Sequence, residues 1–529
     1  MSRKKMQQQL FDAAHERELE EAIARKRRGV GAAPPPAPGN DDDEGDGRGL
    51  LPFVVQPVPD TADQTGRAGL TIVAEALRGF RVDDSVRRHV QTKQRQRGFT
   101  EFDIVESLVM LLAAGGEHME DMALLREDGG LCRMMGRGFP SADVVRDFLV
   151  ASHDESLIRR AAATAEAAGE KSYIPEENAV LGGLGQVNVD FVRSAATPER
   201  GTCATIDYDA TVINSHKQEA KYHYKHERGY QPPVAVWVEQ DLIVVDQFRD
   251  GNVPAGKDNL PVIRRAFAAL PTWVTERKFR GDSACYEESV LKWLATAVRA
   301  DGPAGRIEFT ISADMTKELR AECKKVLEPT APADPDRPRW AMLDDTRYDE
   351  TVEWAEVEFT PGDWPKTADP LRYIALRFRG LQGRLYDDDQ PIKYLAVVTN
   401  KQERGDQVVQ WHWGKAGTVE HVHDETKNGL GAGTLPCGEF GANAAWFRLN
   451  VLTYNVLSML RHRGLPPEFA NAKVKRLRFL LFNALATLTT HARQMFARLG
   501  ETLVRRTRLR RLRRWFRDLR RQALPAPAG

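Results

Sequence analysis

Cysteine is scarce in this chain. The 529 residues hold five (Cys132, Cys203, Cys285, Cys323, Cys437), scattered and with no CxxC pair. That excludes a disulfide scaffold and a zinc-finger framework. Long hydrophobic runs are missing too, since no apolar stretch approaches the roughly 18 residues that a membrane span requires. An excess of one charge is also lacking: 76 Lys and Arg stand against 75 Asp and Glu, so net charge alone points to no partner. There is no GxxxxGK[ST] and no GxGxxG, which leaves nucleotide hydrolysis without a motif. The N-terminus, MSRKKMQQQLFDAAHERELEEAIARKRRG, is charged rather than apolar. No secretory signal or membrane association is expected, and the composition reads as that of a reduced, cytoplasmic protein.

The charge distribution says more than its sum. DDDEGDG lies near the start and RRTRLRRLRRWFRDLRR near the end, an asymmetry that points weakly to a polyanion. Residues 1–60, with AAPPPAPG and the acidic run, are expected to form a disordered charged and Pro-rich tail. Residues 61–195 are helix-patterned: FTEFDIVESLVMLLAAG has three-and-four spacing, and Ser141 is a plausible N-cap for SADVVRDFLVA. Basic residues Arg87, Arg88, Lys93, Arg95 and Arg97 mark the start of that region, either as a binding face or as a solvated one.

Over 196–314 the pattern changes. TCATIDYD, PVAVWVEQ and LIVVDQFRD read as strands, the last two meeting at Gln240-Asp241 like a hairpin. A helix, DNLPVIRRAFAAL, follows with Asp258 as its expected cap. Then come a strand (VTERKFRG), a helix (YEESVLKWLATA) and a strand (RIEFTISAD). This β-β-β-α-β-α-β order is that of an RNase H-like fold. Residues 315–408 read as a mostly β insertion, with TVEWAEVEFT, LRYIALRFRG and PIKYLAVVTN as strands. Residues 409–465 and 466–529 are helix-patterned again, including KVKRLRFLLFNALATLTTHARQMFARLG. The fold class expected is therefore α/β: a mixed-sheet core with a β-rich insertion, flanked by helical N- and C-terminal regions.

Three carboxylates sit where chemistry is plausible. In TCATIDYDAT a strand places Thr205, Asp207 and Asp209 on one face. Two acids on one face are costly to bury without neutralisation, and a bound cation supplies it. Asp209, at the strand end, is the preferred ligand, with Asp207 a close second. Asp282, in RGDSACY, lies at a strand-to-helix junction, where open α/β sheets carry their ligands, although an Asp there is also an ordinary N-cap. Glu420 begins EHVHDETK; on a helix it shares a face with His423, Asp424 and Lys427, while Glu425 points about 140° away. That face can equally be a solvated charged one. HYKHE and HVH have no second cluster at zinc spacing. In the tail, Leu509, Leu512, Trp515, Phe516 and Leu519 form an apolar stripe between arginines, among them Arg510, Arg511 and Arg514. Such a helix can lie on phosphates or an acidic membrane surface, or pack its stripe on the body.

Taken in this order, IDYDAT, FRDGN, RGDSACY and Glu420-x6-Lys427 resemble a bacterial insertion-sequence transposase of the DDE, RNase H-like superfamily, over roughly residues 70–500. The class is the one with a Tyr-x2-Arg-x3-Glu-x6-Lys signature, in which a β-rich insertion precedes the glutamate. Trp413 stands here where the signature has Tyr, and Ala416 where it has Arg, with Lys415 adjacent. The resemblance implies that Asp209, Asp282 and Glu420 hold two Mg²⁺ or Mn²⁺ ions, one activating a water or 3′-OH and the other stabilising the leaving oxygen. It implies that Trp413, Lys415, Lys427 and the tail arginines contact double-stranded DNA, both terminal inverted repeats and target. It also implies a helical DNA-binding domain over 61–195, a homodimer in the synaptic complex, and a nucleoid-associated location. A non-catalytic DNA-binding descendant and an RNase H-like nuclease are the alternatives.

Overall fold

The computed structural model describes residues 62–522 apart from 94, 96, 333, 335–336, 345–350, 363, 365–369 and 380–391. The tail expected over 1–60 lies outside the described residues. The described residues belong to one compact unit.

Its centre is a nine-stranded mixed sheet. The strands are β1 (Cys203–Ala210), β2 (Pro233–Trp237), β3 (Leu242–Asp246), β4 (Glu276–Gly281), β5 (Ile307–Ala313), β6 (Ala341–Met342), β7 (Thr351–Val357), β8 (Arg372–Arg379) and β9 (Ile392–Thr399). Their spatial order is β6-β7-β8-β9-β5-β4-β1-β2-β3. The five strands from 203 to 313 lie in the order β3-β2-β1-β4-β5; β2 runs antiparallel to both of its neighbours, β1 and β3, and β4 and β5 run parallel to β1. This is the mixed α/β core expected from the sequence. The strands of the insertion do not form a separate sheet. β9 pairs antiparallel with β5, Thr399 opposite Thr310 and Ala396 opposite Ala313, so the insertion prolongs the core sheet.

Helices cover both faces. We number α1 (Thr71–Gly79), α2 (Glu101–Ala114), α3 (Ala179–Ala195), α4 (Asn259–Ala269), α5 (Glu288–Ala295), α6 (Gly405–Trp413), α7 (Val419–Asp424), α8 (Phe440–Met459) and α9 (Leu509–Arg521). Thr100 and Asp103 form a capping box at the start of α2, and Ser141 caps its helix as expected. Asp258 does not cap α4. It adopts a left-handed backbone (φ 52°) and its side chain makes no cap bond.

Helix α8 is buried all round, Gly441 to Met459, as a helix without a polar face must be. Several of its polar residues are matched by specific partners, although the Asn450 Oδ1 has none among the described residues. Asn455 accepts from the Ile243 amide at 2.7 Å and donates to the Ile243 carbonyl at 2.8 Å, which satisfies the outer strand β3. Arg448 is enclosed by Asp246 and Glu177. At the β2–β3 turn, Asp241 takes a left-handed conformation (φ 55°) and accepts hydrogen bonds from Tyr454, Ser458 and Arg461, with His462 Nε2 at 3.0 Å.

The region 466–529 is not helical throughout. Ala486–His491 and Gln494–Leu499 form a hairpin that pairs with Gln64–Thr65. The threonines at 487, 489 and 490 favour strands, and Ala492 and Arg493 both have positive φ, as a tight hairpin turn of the twist-matching type demands. The apolar stripe of α9 packs on the body. Leu509, Leu512 and Phe516 are buried, and the Phe516 ring lies where a Cβ on Gly79 would stand 3.1 Å away. Arg520 pairs with Asp83 and Arg513 with Glu75. The basic residues near the start of the helical region are also partly neutralised, Arg87 by Asp84 and Arg88 by Asp190. No described helix is long and apolar enough to cross a membrane.

Burial opposes ionisation of Asp241, but the His462 hydrogen bond and the Arg461 charge outweigh it and hold the carboxyl down at about 2. A depressed carboxyl stabilises the fold above its unfolded value near pH 4, and that stability is lost as pH falls through about 2. Asp241→Asn is expected to cost about 2 kcal/mol at neutral pH and to flatten the acid limb between about pH 4 and 2. Urea unfolding as a function of pH measures both.

Candidate active site

Because β1, β4 and β5 are parallel neighbours, their carboxyl ends share one edge of the sheet, and Tyr208 stands opposite Gly281 and Gly281 opposite Ile311. Asp209 is therefore next to the residue that follows β4, Asp282. The turn after β4 is tight. A Cβ on Gly281 would lie 2.8 Å from that of Cys285, so this position excludes any larger residue without displacement. Asp282 accepts from the Ala284 amide at 3.2 Å and thus caps a short turn, Ser283–Cys285. Its capping and its position beside Asp209 coexist.

Asp207 and Asp209 have different fates. Asp207 is fully buried, and both its oxygens are taken by the Arg280 fork, Nε at 2.6 Å and Nη2 at 2.8 Å. Thr418 adds a hydroxyl donor to the same carboxylate. Arg280 also donates to the Trp411 carbonyl at 2.7 Å and lies over the Trp411 ring. The guanidinium thus neutralises this carboxylate and engages both of its oxygens. The burial cost of two acids on one face is met for Asp207 by a guanidinium. Asp209, one step further along, is partly open.

Beside Asp209 Oδ2 stand Lys415 Nζ at 3.4 Å and His423 Nε2 at 3.9 Å. Burial raises the Asp282 carboxyl above its ordinary value, the Lys415 ammonium works against the rise, and the Asp209 charge adds to it. Asp314, just past β5, is raised by burial and by the charge of Asp282, so a further acid belongs to this edge. Its place directly after RIEFTISA, in the strand beside that of Asp282, was the available signal. His423 is pushed down to about 3 by burial and by Lys415 and Lys427, and so is a neutral imidazole.

The remaining candidates are distributed around this edge. Glu420 is exposed on α7, one turn before His423. Glu425 is buried and accepts from the Val474 amide at 2.8 Å. Past α7 the chain widens into a π-helical turn, Glu425–Gly429, a feature that often occurs at functional sites. That turn places Lys427 so that Nζ donates to the Val212 carbonyl at 2.6 Å, just beyond β1. Lys415 is turned to Asp209 rather than to the surface. Trp413 is partly buried against a second apolar cluster that includes Val352, Ile374 and Val409. Arg510, Arg511 and Arg514 are exposed on α9.

The donor chemistry suits a hard divalent cation. Two carboxylates share an edge, and a lysine ammonium is held against one of them. Among the described residues, no three His, Cys, Asp or Glu side chains converge tightly enough to form a complete metal cage. Asp209 and Asp282 are close enough for the charge of one to raise the carboxyl of the other, and Asp314 feels the charge of Asp282.

A family model described as Transposase DDE domain group 1 matches residues 60–521. The chain belongs to this family. A solved structure described as a piggyBac transposase synaptic complex with hairpin DNA is similar with a TM-score of 0.39 and 12% identity, over 87% of this chain and 84% of that one. Comparison with curated protein sequences gives no match.

The two strand acids should separate cleanly in stability. Asp207→Ala leaves a buried, unpaired Arg280 and is expected to cost about 3–5 kcal/mol. Asp209→Ala, at a partly open position, is expected to stay within about 1 kcal/mol of the parent. Chemical denaturation of the two variants side by side is the measurement.

Proposed function

We propose that this member of the DDE transposase family cuts DNA at the terminal inverted repeats of its element and joins the freed ends to target DNA. The observation that carries the reading is the pairing of Asp209 and Asp282 at the carboxyl edge of the central sheet. Asp207, on the same strand, is withdrawn from that edge into an ion pair. In this reading Asp209, Asp282 and Glu420 hold two divalent ions, Mg²⁺ or Mn²⁺. When bound, the ions make a nucleophile available at neutral pH and neutralise charge on the leaving oxygen. The protein's own side chains position the phosphate: Lys427 borders the edge next to Val212, and Lys415 can move from Asp209 to the DNA once a cation takes its place. The exposed arginines of α9 lie along phosphates while its apolar stripe stays anchored to α1. Holding two ends together calls for a dimer.

One observation favours a second reading, an end-binding descendant that no longer cuts. Lys415 occupies the neighbourhood of Asp209, where a resident ammonium competes with a metal ion.

The test is incubation of the purified protein with labelled DNA carrying the element's own ends, with Mg²⁺, Mn²⁺ or chelator. Metal-dependent cuts at the end boundary followed by joined products are expected. Binding without cuts selects the second reading, and no binding sinks both. Asp209→Ala, Asp282→Ala and Glu420→Ala are each expected to reduce cleavage on the order of 10³-fold or more while leaving end binding intact. Replacing Arg510, Arg511 and Arg514 together by Ala is expected to weaken binding to any sequence. The slope of log K against log salt should fall by up to about 0.9 for each arginine that meets a phosphate. Filter-binding or anisotropy titrations across salt concentrations give that slope.

A further inference from the structure

We infer that His423 is a nitrogen ligand to the cation held by Asp209, an inference that rests on the metal-dependent reading above. Three observations converge on it. His423 is nine-tenths buried, yet its Nε2 has no hydrogen-bond partner among the described residues. A buried polar nitrogen without a partner is uncommon and costly. The other fully enclosed histidine near this edge shows the contrast: His412 has Nδ1 2.8 Å from Thr310 Oγ1 and Nε2 3.0 Å from Ser312 Oγ.

The second observation is direction. The unpartnered Nε2 is 3.9 Å from Asp209 Oδ2, too far for a hydrogen bond. A cation about 2.1 Å from each of two donors bridges atoms up to about 4.2 Å apart. One ion held by both the imidazole and the carboxylate would satisfy the two groups together, the donors drawing closer than 3.9 Å as neighbours in an octahedral shell.

The third observation is that the place is already cationic. Lys415 Nζ lies 3.4 Å from the same carboxylate oxygen, so Asp209 already draws a cation, and a metal ion binds there by displacing that ammonium. Glu420, one turn earlier on α7, is exposed and remains available as a further carboxylate. A mixed nitrogen and oxygen set also alters metal choice, because imidazole suits transition metals better than it suits Mg²⁺. His423 thus biases the Asp209 position toward Mn²⁺.

Pulsed EPR of Mn²⁺ bound to the full-length protein tests this, because an imidazole ligand imprints a ¹⁴N coupling on the electron spin. The coupling is expected in the parent, replaced by a ¹⁵N pattern after ¹⁵N-histidine labelling, and lost in His423→Ala, while His421→Ala keeps it. His423→Ala should also weaken Mn²⁺ at least about tenfold and narrow the preference for Mn²⁺ over Mg²⁺. The parent protein alone suffices should the variant fail to fold: bound Mn²⁺ without any nitrogen coupling overturns the inference. So does a coupling that persists in a folded His423→Ala. If Mn²⁺ binds and Asp209→Asn abolishes that binding, the metal reading survives even where the histidine assignment fails. If the parent binds no Mn²⁺ at all, both fall.

Discussion

The buried pair between Asp207 and Arg280 is the constraint on which the rest of this site depends. It joins β1 to β4 across the middle of the sheet, and through Arg280 and Thr418 it also grips the chain that returns at 411–418. Two charges removed from water repay that cost only with near-complete hydrogen bonding, and here both carboxylate oxygens and the guanidinium are engaged. With that lock in place, α6, the following loop and α7 cannot drift from the carboxyl edge. Lys415 and His423 are brought to Asp209 as a consequence.

The β-rich insertion serves the same end by a different route. Without it, β5 would be an outer strand with unpaired backbone groups next to the site. β9 closes that side by pairing with β5, and the meander β6 to β9 moves the free edge away from the acids. The chain leaving β9 is then delivered straight into α6 on the sheet face, where Gly405 packs so near Trp354 that a Cβ would stand 2.4 Å from its ring. The turn after β4 is tied to the same extension, since the hydroxyls of Tyr286 and Tyr373 are 3.0 Å apart. The insertion is therefore part of the scaffold that holds Asp282 as well as a connection between the two parts of the core.

Much of this architecture was legible in local pattern. The β-β-β-α-β-α-β run, the hairpin at Asp241, the strands of the insertion and the acids at strand ends all follow from periodicity and flanking residues, which depend on near neighbours. The stretch 486–499 was not, because its pattern suits a helix as well as a strand. Pairing with Gln64–Thr65, more than 400 residues earlier, decides between them. Asp258 and Ser141 show the same limit on a smaller scale. Both look like caps, yet only Ser141 has the extended backbone that aims its side chain at the helix end.

The sequence by itself determined which side chains alternate on β1, where the strands and helices fall, and that acids occupy the ends of two strands, because these are consequences of bonded geometry repeated along the chain. Which acid meets a guanidinium and which stays open was decided only in the tertiary structure, since Arg280 lies 73 residues and Thr418 lies 211 residues from Asp207. The same holds for His423, an unremarkable histidine in sequence that gains its meaning when packing buries it, leaves its Nε2 without a partner and turns it toward Asp209.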